Sequence, residues 1–296
     1  MQVHYSQDWI VIPLKLSVSL LSFKQDRKGD TIMELAGMTA MVTGAGRGLG
    51  REICLAFARA GANVTMYSLL RKELEEMAAG LSNINDEHLI VEGDVSLKHD
   101  VVSAVAQTMT RFGGIDVLVN NAGILGPARF LEDTTPEQWE KTLAVNLTGS
   151  YLFIREVIPY MIKQGGGTII NIVSGLGQMP FPRLCAYSVS KAGLIQLTRS
   201  LSEELKPFNI RVNGIDPGLM DTNLGNDIRL MGPDLLGAEL HSRMIEYKEQ
   251  NILKDPADVA ELAVYLASKD SGTITGHIGT MRYYQKQGWK RTGFAD

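Results

Sequence analysis

Apolar positions along the chain fall into two alternating kinds of segment. Short runs bounded by turn residues read as strands: Thr39 to Thr43, Asn63 to Ser68, His88 to Glu92, Ile115 to Val119, Thr168 to Ser174 and Ile210 to Ile215. The fifth follows Gly165, Gly166 and Gly167 and carries Ile169, Ile170, Ile172 and Val173, the pattern of a strand buried on both faces of a parallel sheet. Between the runs, apolar residues take helical spacing, as at Leu49, Ile53, Phe57 and Ala60. A second helix is expected from about Leu97. Thr135-Pro-Glu-Gln138 opens another with proline first and a capping-box spacing, running on through Leu143, Val145 and Leu147. Leu194, Leu197, Leu201 and Leu205 mark a helix ending near Pro207, and Asp255 to about Ser268 a final one before a last strand after Ile274-Thr-Gly276. Strands alternating with helices predict a single doubly wound α/β domain, its sheet mostly parallel and covered on both faces.

Candidate chemistry gathers at two places. Ser174 falls at the carboxyl end of the buried strand, where open α/β sheets bind ligands. Thirteen residues later Tyr187 and Lys191 lie four apart on one helix face. On spacing alone they are a solvated pair. A fixed ammonium about 4 Å away at an effective dielectric near 20 would, however, be worth roughly 4 kcal/mol. That is about three pK units, enough to bring a phenol from about 10 towards 7 and make it an efficient acid. Gly44-Ala-Gly-Arg-Gly-Leu-Gly50 stands between a strand and a helix start, where backbone must turn tightly and a helix N-terminus can receive a pyrophosphate.

With 296 residues, 45% of them apolar, the chain can bury one large core. A net charge of −4, with no basic block longer than Lys24 to Lys28, argues against nucleic acid as partner. Cys54 and Cys185 are the two cysteines and the five histidines are scattered, so no metal site is expected and a reducing cytoplasm is. Trp9 to Phe23 is apolar but short and broken by Pro13 and Lys15, a poor signal peptide and a poor membrane span. Residues 1–32 read as an N-terminal extension, disordered or loosely packed, or else an element covering an edge or a neighbouring subunit. Residues 33–296 read as the catalytic domain.

Thr43-Gly-Ala-Gly-Arg-Gly-Leu-Gly50, Asn120-Asn-Ala-Gly123, Ser174 and Tyr187-x-x-x-Lys191, in that order, resemble the short-chain dehydrogenase/reductase family over roughly Met33 to Gly276. The resemblance implies hydride transfer between a nicotinamide cofactor and a carbonyl or secondary-alcohol carbon, with a catalytic group of Asn146, Ser174, Tyr187 and Lys191. Asn146, in an Asn-x-x-Gly setting with Gly149, would hold a water behind the lysine. Lys191 would also bind the cofactor ribose. The cofactor would be held by Gly44, Gly46, Arg47, Gly48, Leu49, Gly50, Ser68, Arg71, Asp94, Val95, Asn121, Ala122, Gly123, Tyr187, Lys191, Pro217, Gly218, Met220 and Thr222. Asp94 would contact the adenine or cap the following helix, and Thr222 would lie near the nicotinamide carboxamide. Ser68 replaces the acid that would take the 2′-hydroxyl of NAD, and Arg47 and Arg71 could meet a 2′-phosphate, so the reading leans to NADP over NAD.

Leu176, Met179, Phe181 and Leu184 are expected to line an apolar wall of the substrate site. Arg183 could anchor an anion or face solvent, and Cys185 reads as packing. Residues 223–253, with Leu224, Ile228, Leu230, Met231, Leu235, Leu236 and Met244, read as an apolar lid. The helix bearing Lys191 is apolar around most of its girth, and with the Asn146 helix it is expected to form a homodimer or homotetramer. Beyond Gly276 the family's usual Asp-Gly-Gly ending gives way to Met281-Arg-Tyr-Tyr-Gln-Lys-Gln-Gly-Trp289. Two other activities stay open at this point: enoyl reduction or lyase chemistry on the same scaffold, and a non-enzymatic nucleotide sensor or scaffold protein.

Overall fold

The computed structural model describes residues 34–81, 84, 87–220, 222, 225–226, 230–250 and 252–290. The expected extension 1–32 and the lid residues Asn223, Leu224 and Ile228 lie outside the described residues. Seven parallel strands form one sheet: β1 (Thr39–Thr43), β2 (Asn63–Ser68), β3 (His88–Glu92), β4 (Val117–Asn120), β5 (Gly167–Ile172), β6 (Ile210–Ile215) and β7 (Ile278–Gly279). Their order is β3-β2-β1-β4-β5-β6-β7, so the direction of winding reverses between β1 and β4. The crevice of a doubly wound sheet opens at that reversal.

The helices that join the strands are α1 (Gly48–Arg59), α2 (Arg71–Leu81), α3 (Lys98–Phe112), α4 (Pro136–Leu143), α5 (Gly149–Gln164), α6 (Cys185–Glu204), α7 (Gly232–Leu236), α8 (Ala238–Glu249), α9 (Pro256–Ala267) and α10 (Met281–Lys286). Side chains alternate across a strand, and the core divides accordingly. Ala40 and Val42 of β1, Val117 and Val119 of β4, and Ile170 and Ile172 of β5 pack with Ile53, Leu74 and Leu262 of α1, α2 and α9. Met41, Leu118 and Ile169 face the other way, against Val101, Phe153 and Leu201 of α3, α5 and α6.

Three local departures from the expected elements matter for the site. β4 begins at Val117 and takes in Asn120, because Asn120 pairs in register with Asn171 and donates to its Oδ1 at 2.8 Å. β5 stops at Ile172, and Ser174 instead caps a single 3₁₀ turn at Gly175–Gly177, its Oγ accepting from Leu176 N. The helix opened by the Thr135 and Gln138 capping box is not continuous: a π turn at Ala144–Thr148 separates α4 from α5. Such turns insert one extra residue and re-aim a side chain, here Asn146.

The chain end differs too. Thr280 caps α10 after only two residues of β7, and the helix buries Tyr284 and, just beyond it, Trp289 against the α1 and α9 side of the core. The Tyr284 hydroxyl donates to the carbonyls of Gly214 and His277, each at 3.0 Å. Tyr284→Ala is expected to lower unfolding free energy by about 3–5 kcal/mol, as buried aromatic truncations do, and Tyr284→Phe by about 1 kcal/mol for the lost hydroxyl. Urea unfolding measures both, and equal losses would place the whole contribution in the hydroxyl.

Candidate active site

The glycine turn leaves β1 at Thr43, with Gly44 and Gly48 at φ 63° and 55°, a region side-chain-bearing residues seldom adopt. A Cβ on Gly44 would lie 2.9 Å from Ala122 Cα, and one on Gly50 would run into the Gly44 carbonyl. Asn121 stitches the turn to β4 across the switch point: its Nδ2 donates to Thr43 O and Gly44 O at 2.9 and 3.1 Å. Thr43 Oγ1 accepts from the backbone N–H groups of Asn121 and Ala122 at 3.0 Å. From Gly48 to Arg51 the first turn of α1 carries no acid, so its open N–H groups fit an anion. The close approach of backbone to backbone is the cradle a dinucleotide pyrophosphate requires.

At the adenosine side, Ser68 ends β2. Arg47 and Arg71 are each countered by a carboxylate. Arg47 Nη1 lies 3.7 Å from Glu73 Oε1, and Arg71 Nε lies 2.8 Å from Glu75 Oε1. Asp94 does not cap α3. Its Oδ1 accepts from Ser96 N and Oγ, and its Oδ2 lies 3.2 Å from Lys141 Nζ. Burial works against the charge, but these partners outweigh it and hold the carboxyl below its ordinary value. Val95 is buried against Gly149, whose added Cβ would meet Val95 Cγ2 at 2.9 Å.

Ser174, Tyr187, Lys191 and Asn146 converge at the carboxyl ends of β4 and β5. The Ser174 hydroxyl lies beside the Tyr187 hydroxyl, placed to donate to it. A Cβ on Gly177 would sit 2.7 Å from Lys191 C, so that glycine lets the Ser174 turn lie directly on the α6 backbone. Lys191 is 5% exposed, and its Nζ donates to Ile172 O at 2.8 Å, 5.7 Å from the Tyr187 ring centroid. Asn146 is fully buried: its Oδ1 accepts from Ile124 N, and its Nδ2 donates to Ile124 O and to Ser190 Oγ. A Cβ on Gly123 would lie 3.4 Å from Asn146 Oδ1 and 3.7 Å from Lys191 Nζ, so the two side chains flank the same glycine.

In the protein alone the direction for Tyr187 is upward, against the expectation that Lys191 acidifies it. Burial pushes the phenol above its ordinary value, the Ser174 hydrogen bond pulls it back in part, and the Asp216 carboxylate pushes it up again. Burial also lowers Lys191 to about 8, against the opposing pull of Asp216. The ammonium is turned onto the Ile172 carbonyl, and the dry surroundings penalise both charged forms. Asp216, just past β6, escaped the sequence reading although it precedes Pro217-Gly218. Its Oδ1 accepts from Gly218 N at 3.0 Å, and its Oδ2 would lie 3.2 Å from a Cβ on Gly175. Ser190 was missed as well. It accepts from Asn146 and donates to Tyr187 O at 2.7 Å, linking the π turn to α6; a serine inside a helix gives no sequence signal for this.

On the remaining wall, Pro217 is buried and Gly218 takes φ 67°. Met220 bridges Lys254. Thr222 lies against the glycine turn, 3.6 Å from a Cβ on Gly48. Leu176, Phe181 and Leu184 share an apolar cluster with Tyr187, Leu125, Leu236 and Met244, the last two from α7 and α8 of the lid region. Met179 is 62% exposed and does not line that wall. Arg183 is partly exposed, and its guanidinium covers the Phe130 ring and donates to Asp234 O on α7. Cys185 opens α6 as a partly buried thiol. Among the described residues no group of histidine, cysteine and carboxylate side chains could hold a metal, and no helix is long and apolar enough to cross a membrane.

Residues 38–232 match the family model for short chain dehydrogenases. The chain belongs to the short-chain dehydrogenase/reductase family. It is 38% identical over 240 residues, covering 80% of this chain and 94% of the relative, to a 2-(R)-hydroxypropyl-CoM dehydrogenase of Xanthobacter autotrophicus. A 3-oxoacyl-(acyl-carrier-protein) reductase of Thermotoga maritima is 34% identical over 249 residues, 83% of this chain and 96% of that one. The crystal structure of a 3-ketoacyl-(acyl-carrier-protein) reductase from Brucella melitensis, complexed with NADH, superposes with a TM-score of 0.72 at 32% identity, covering 83% and 97% of the two chains. As a member of this short-chain family the protein is an oxidoreductase.

Burial of Lys191 has a measurable consequence for stability. Between about 8 and the ordinary 10.5 the unfolded chain binds a proton that the native protein has released, so stability contributed at this position rises with pH across that window. Relative to Lys191→Met, the wild type free of dinucleotide is expected to gain about 3 kcal/mol from pH 8 to 10.5. Urea unfolding of both proteins along that series tests it; a constant difference would mean the ammonium is not buried.

Proposed function

We propose that the protein interconverts a ketone and a secondary alcohol with a nicotinamide dinucleotide. The observation carrying this reading is the convergence of the paired Ser174 and Tyr187 hydroxyls with buried Lys191, above a glycine turn built for a pyrophosphate. When bound, the nicotinamide donates or accepts hydride at C4. Gly44 to Gly50 and the α1 N-terminus would hold the pyrophosphate, and Asn121, Ala122, Gly123, Pro217, Gly218 and Thr222 would hold the rest of the dinucleotide. Tyr187, kept protonated near neutral pH by its burial, gives its proton to the carbonyl oxygen during reduction. Ser174 donates to that same oxygen as charge develops. Lys191 would hold the cofactor ribose and supplies positive charge behind Tyr187, and Asn146 fixes the backbone of Ile124 and, through Ser190, of Tyr187.

The apolar cluster of Leu125, Leu184, Leu236 and Met244 supports a ketone with an apolar or acyl substituent. The named substrates of two relatives, a 2-hydroxypropyl compound and a 3-oxoacyl chain, are of the same carbonyl or secondary-alcohol class. Exposed Tyr151 on α5 and Val189 on α6 support pairing of two copies along these helices.

Tyr187→Phe is expected to lower kcat/KM on an acyl-ketone, steroid, sugar and diol panel by about 10²–10⁴-fold, with a far smaller change in dinucleotide Kd. Turnover surviving with a small loss would remove Tyr187 as the acid, and dinucleotide binding without turnover of any panel member by the wild type would favour a sensor. Asp216→Asn keeps an oxygen for Gly218 N and removes a negative charge facing both Tyr187 and Lys191. Both groups then lose protons more readily, so the rising limb of the pH profile for alcohol oxidation is expected to move to lower pH. An unmoved limb would exclude Asp216 from the charge balance of the site.

A further inference from the structure

We infer that Glu73 makes the protein selective for the unphosphorylated dinucleotide, NAD(H), by holding a negative charge on the glycine turn where a 2′-phosphate would have to be received. The inference rests on the dinucleotide reading above and concerns which form is accepted. In strand-turn-helix nucleotide sites the adenosine ribose lies between the glycine turn and the end of the second strand. In this chain that strand ends in Ser68, which offers neither a charge for a phosphate nor a carboxylate for a ribose hydroxyl. Leu69 and Leu70 follow, 59% and 50% exposed, and neither side chain can hold a phosphate.

The missing carboxylate arrives from α2. A Cβ on Gly46 would lie 2.7 Å from Glu73 Cβ and 2.8 Å from Glu73 Oε2, so the acid rests on the middle of the turn and glycine is required beneath it. Glu73 also faces Arg47 Nη1, its partner across 3.7 Å, and its side chain is 26% exposed against 59% for the arginine. The carboxylate is the more fixed member of the pair. Arg71 and Lys72, the cations that open α2, are countered by Glu75 and Glu76 in i,i+4 pairs on the same helix. Two arginines and a lysine facing three glutamates leave no net positive charge to draw in a phosphate carrying about −1.5 to −2, and Glu73 opposes it directly. For a ribose with both hydroxyls free, the same carboxylate is a hydrogen-bond acceptor. This inference runs against the leaning to NADP drawn from Ser68, Arg47 and Arg71.

The test is direct binding of NADH and NADPH by fluorescence, without substrate, to the wild type, Glu73→Gln, Glu73→Ala and the control Glu75→Gln. The wild type is expected to bind NADH about tenfold tighter than NADPH, the size suited to one partly screened unit charge. Both Glu73 variants should bring NADPH to within about threefold of NADH, while Glu75→Gln moves the ratio less, and the wild-type preference should shrink as salt is raised. A wild type that prefers NADPH, or a ratio that both Glu73 variants leave unchanged, overturns the inference with the dinucleotide site intact. Failure of the wild type to bind either nucleotide overturns the dinucleotide reading and the inference with it.

Discussion

A single buried ammonium constrains the crevice more than any other group. Lys191 is almost wholly removed from water, and a cation in that position is tolerated only with partners. Ile172 O supplies the hydrogen bond and Asp216 the countercharge. Ile172 is the last residue of β5, so its carbonyl is released from the ladder at the depth where the ammonium arrives. The same lack of water raises Tyr187, and the two groups therefore share one environment without forming a direct ion pair. Near neutral pH this leaves the lysine mostly charged and the phenol protonated, the pattern that carbonyl reduction needs.

Holding α6 against the sheet at that spot takes polar contacts as well as apolar ones. Asn120 on β4 donates to Asn171 on β5, which donates to Thr198 on α6, and all three are buried. On the other side of the helix Asn146 donates to Ser190, and Ser190 to the Tyr187 carbonyl. Buried side chains linked by hydrogen bonds fix one arrangement where apolar packing alone would allow several. The helix bearing Tyr187 and Lys191 is thus registered against two strands and the π turn, and Gly177 sets how closely the Ser174 turn approaches it.

The strand and helix order was legible because each element is a local pattern: the limits of β1, β2, β3 and β6 coincide with apolar runs, and the capping box at Thr135 and Gln138 is a three-residue rule. The gathering of Ser174, Tyr187, Lys191 and Asn146 was legible through motif order. What escaped depends on contacts between distant segments. A π turn at Asn146 has no residue signature, and the direction of the Tyr187 shift depends on how much water the folded crevice excludes. Asp216 becomes relevant only when β6 is laid beside β5. Arg47 and Arg71 looked like free cations because the sequence does not show that Glu73 and Glu75 face them.

The two ends of the crevice are built from different materials. The glycine-turn end consists largely of backbone: the turn, the α1 N-terminus and the Asn121 contacts leave little for side chains to change. The other end is built instead from side chains on connections and short helices, with Leu125 and Leu184 meeting Leu236 of α7 and Met244 of α8. Arg183 fastens that region to Phe130 and to the Asp234 carbonyl while sitting at φ 67°, a backbone state that arginine seldom adopts. A frame of this kind lets relatives with differently named substrates share one architecture, since loops on a rigid scaffold can vary without disturbing the acid and its lysine. Under the proposed function, substrate choice would reside in the packing of α7 and α8 on Leu125 and Leu184, and the chemistry in the sheet ends beneath them.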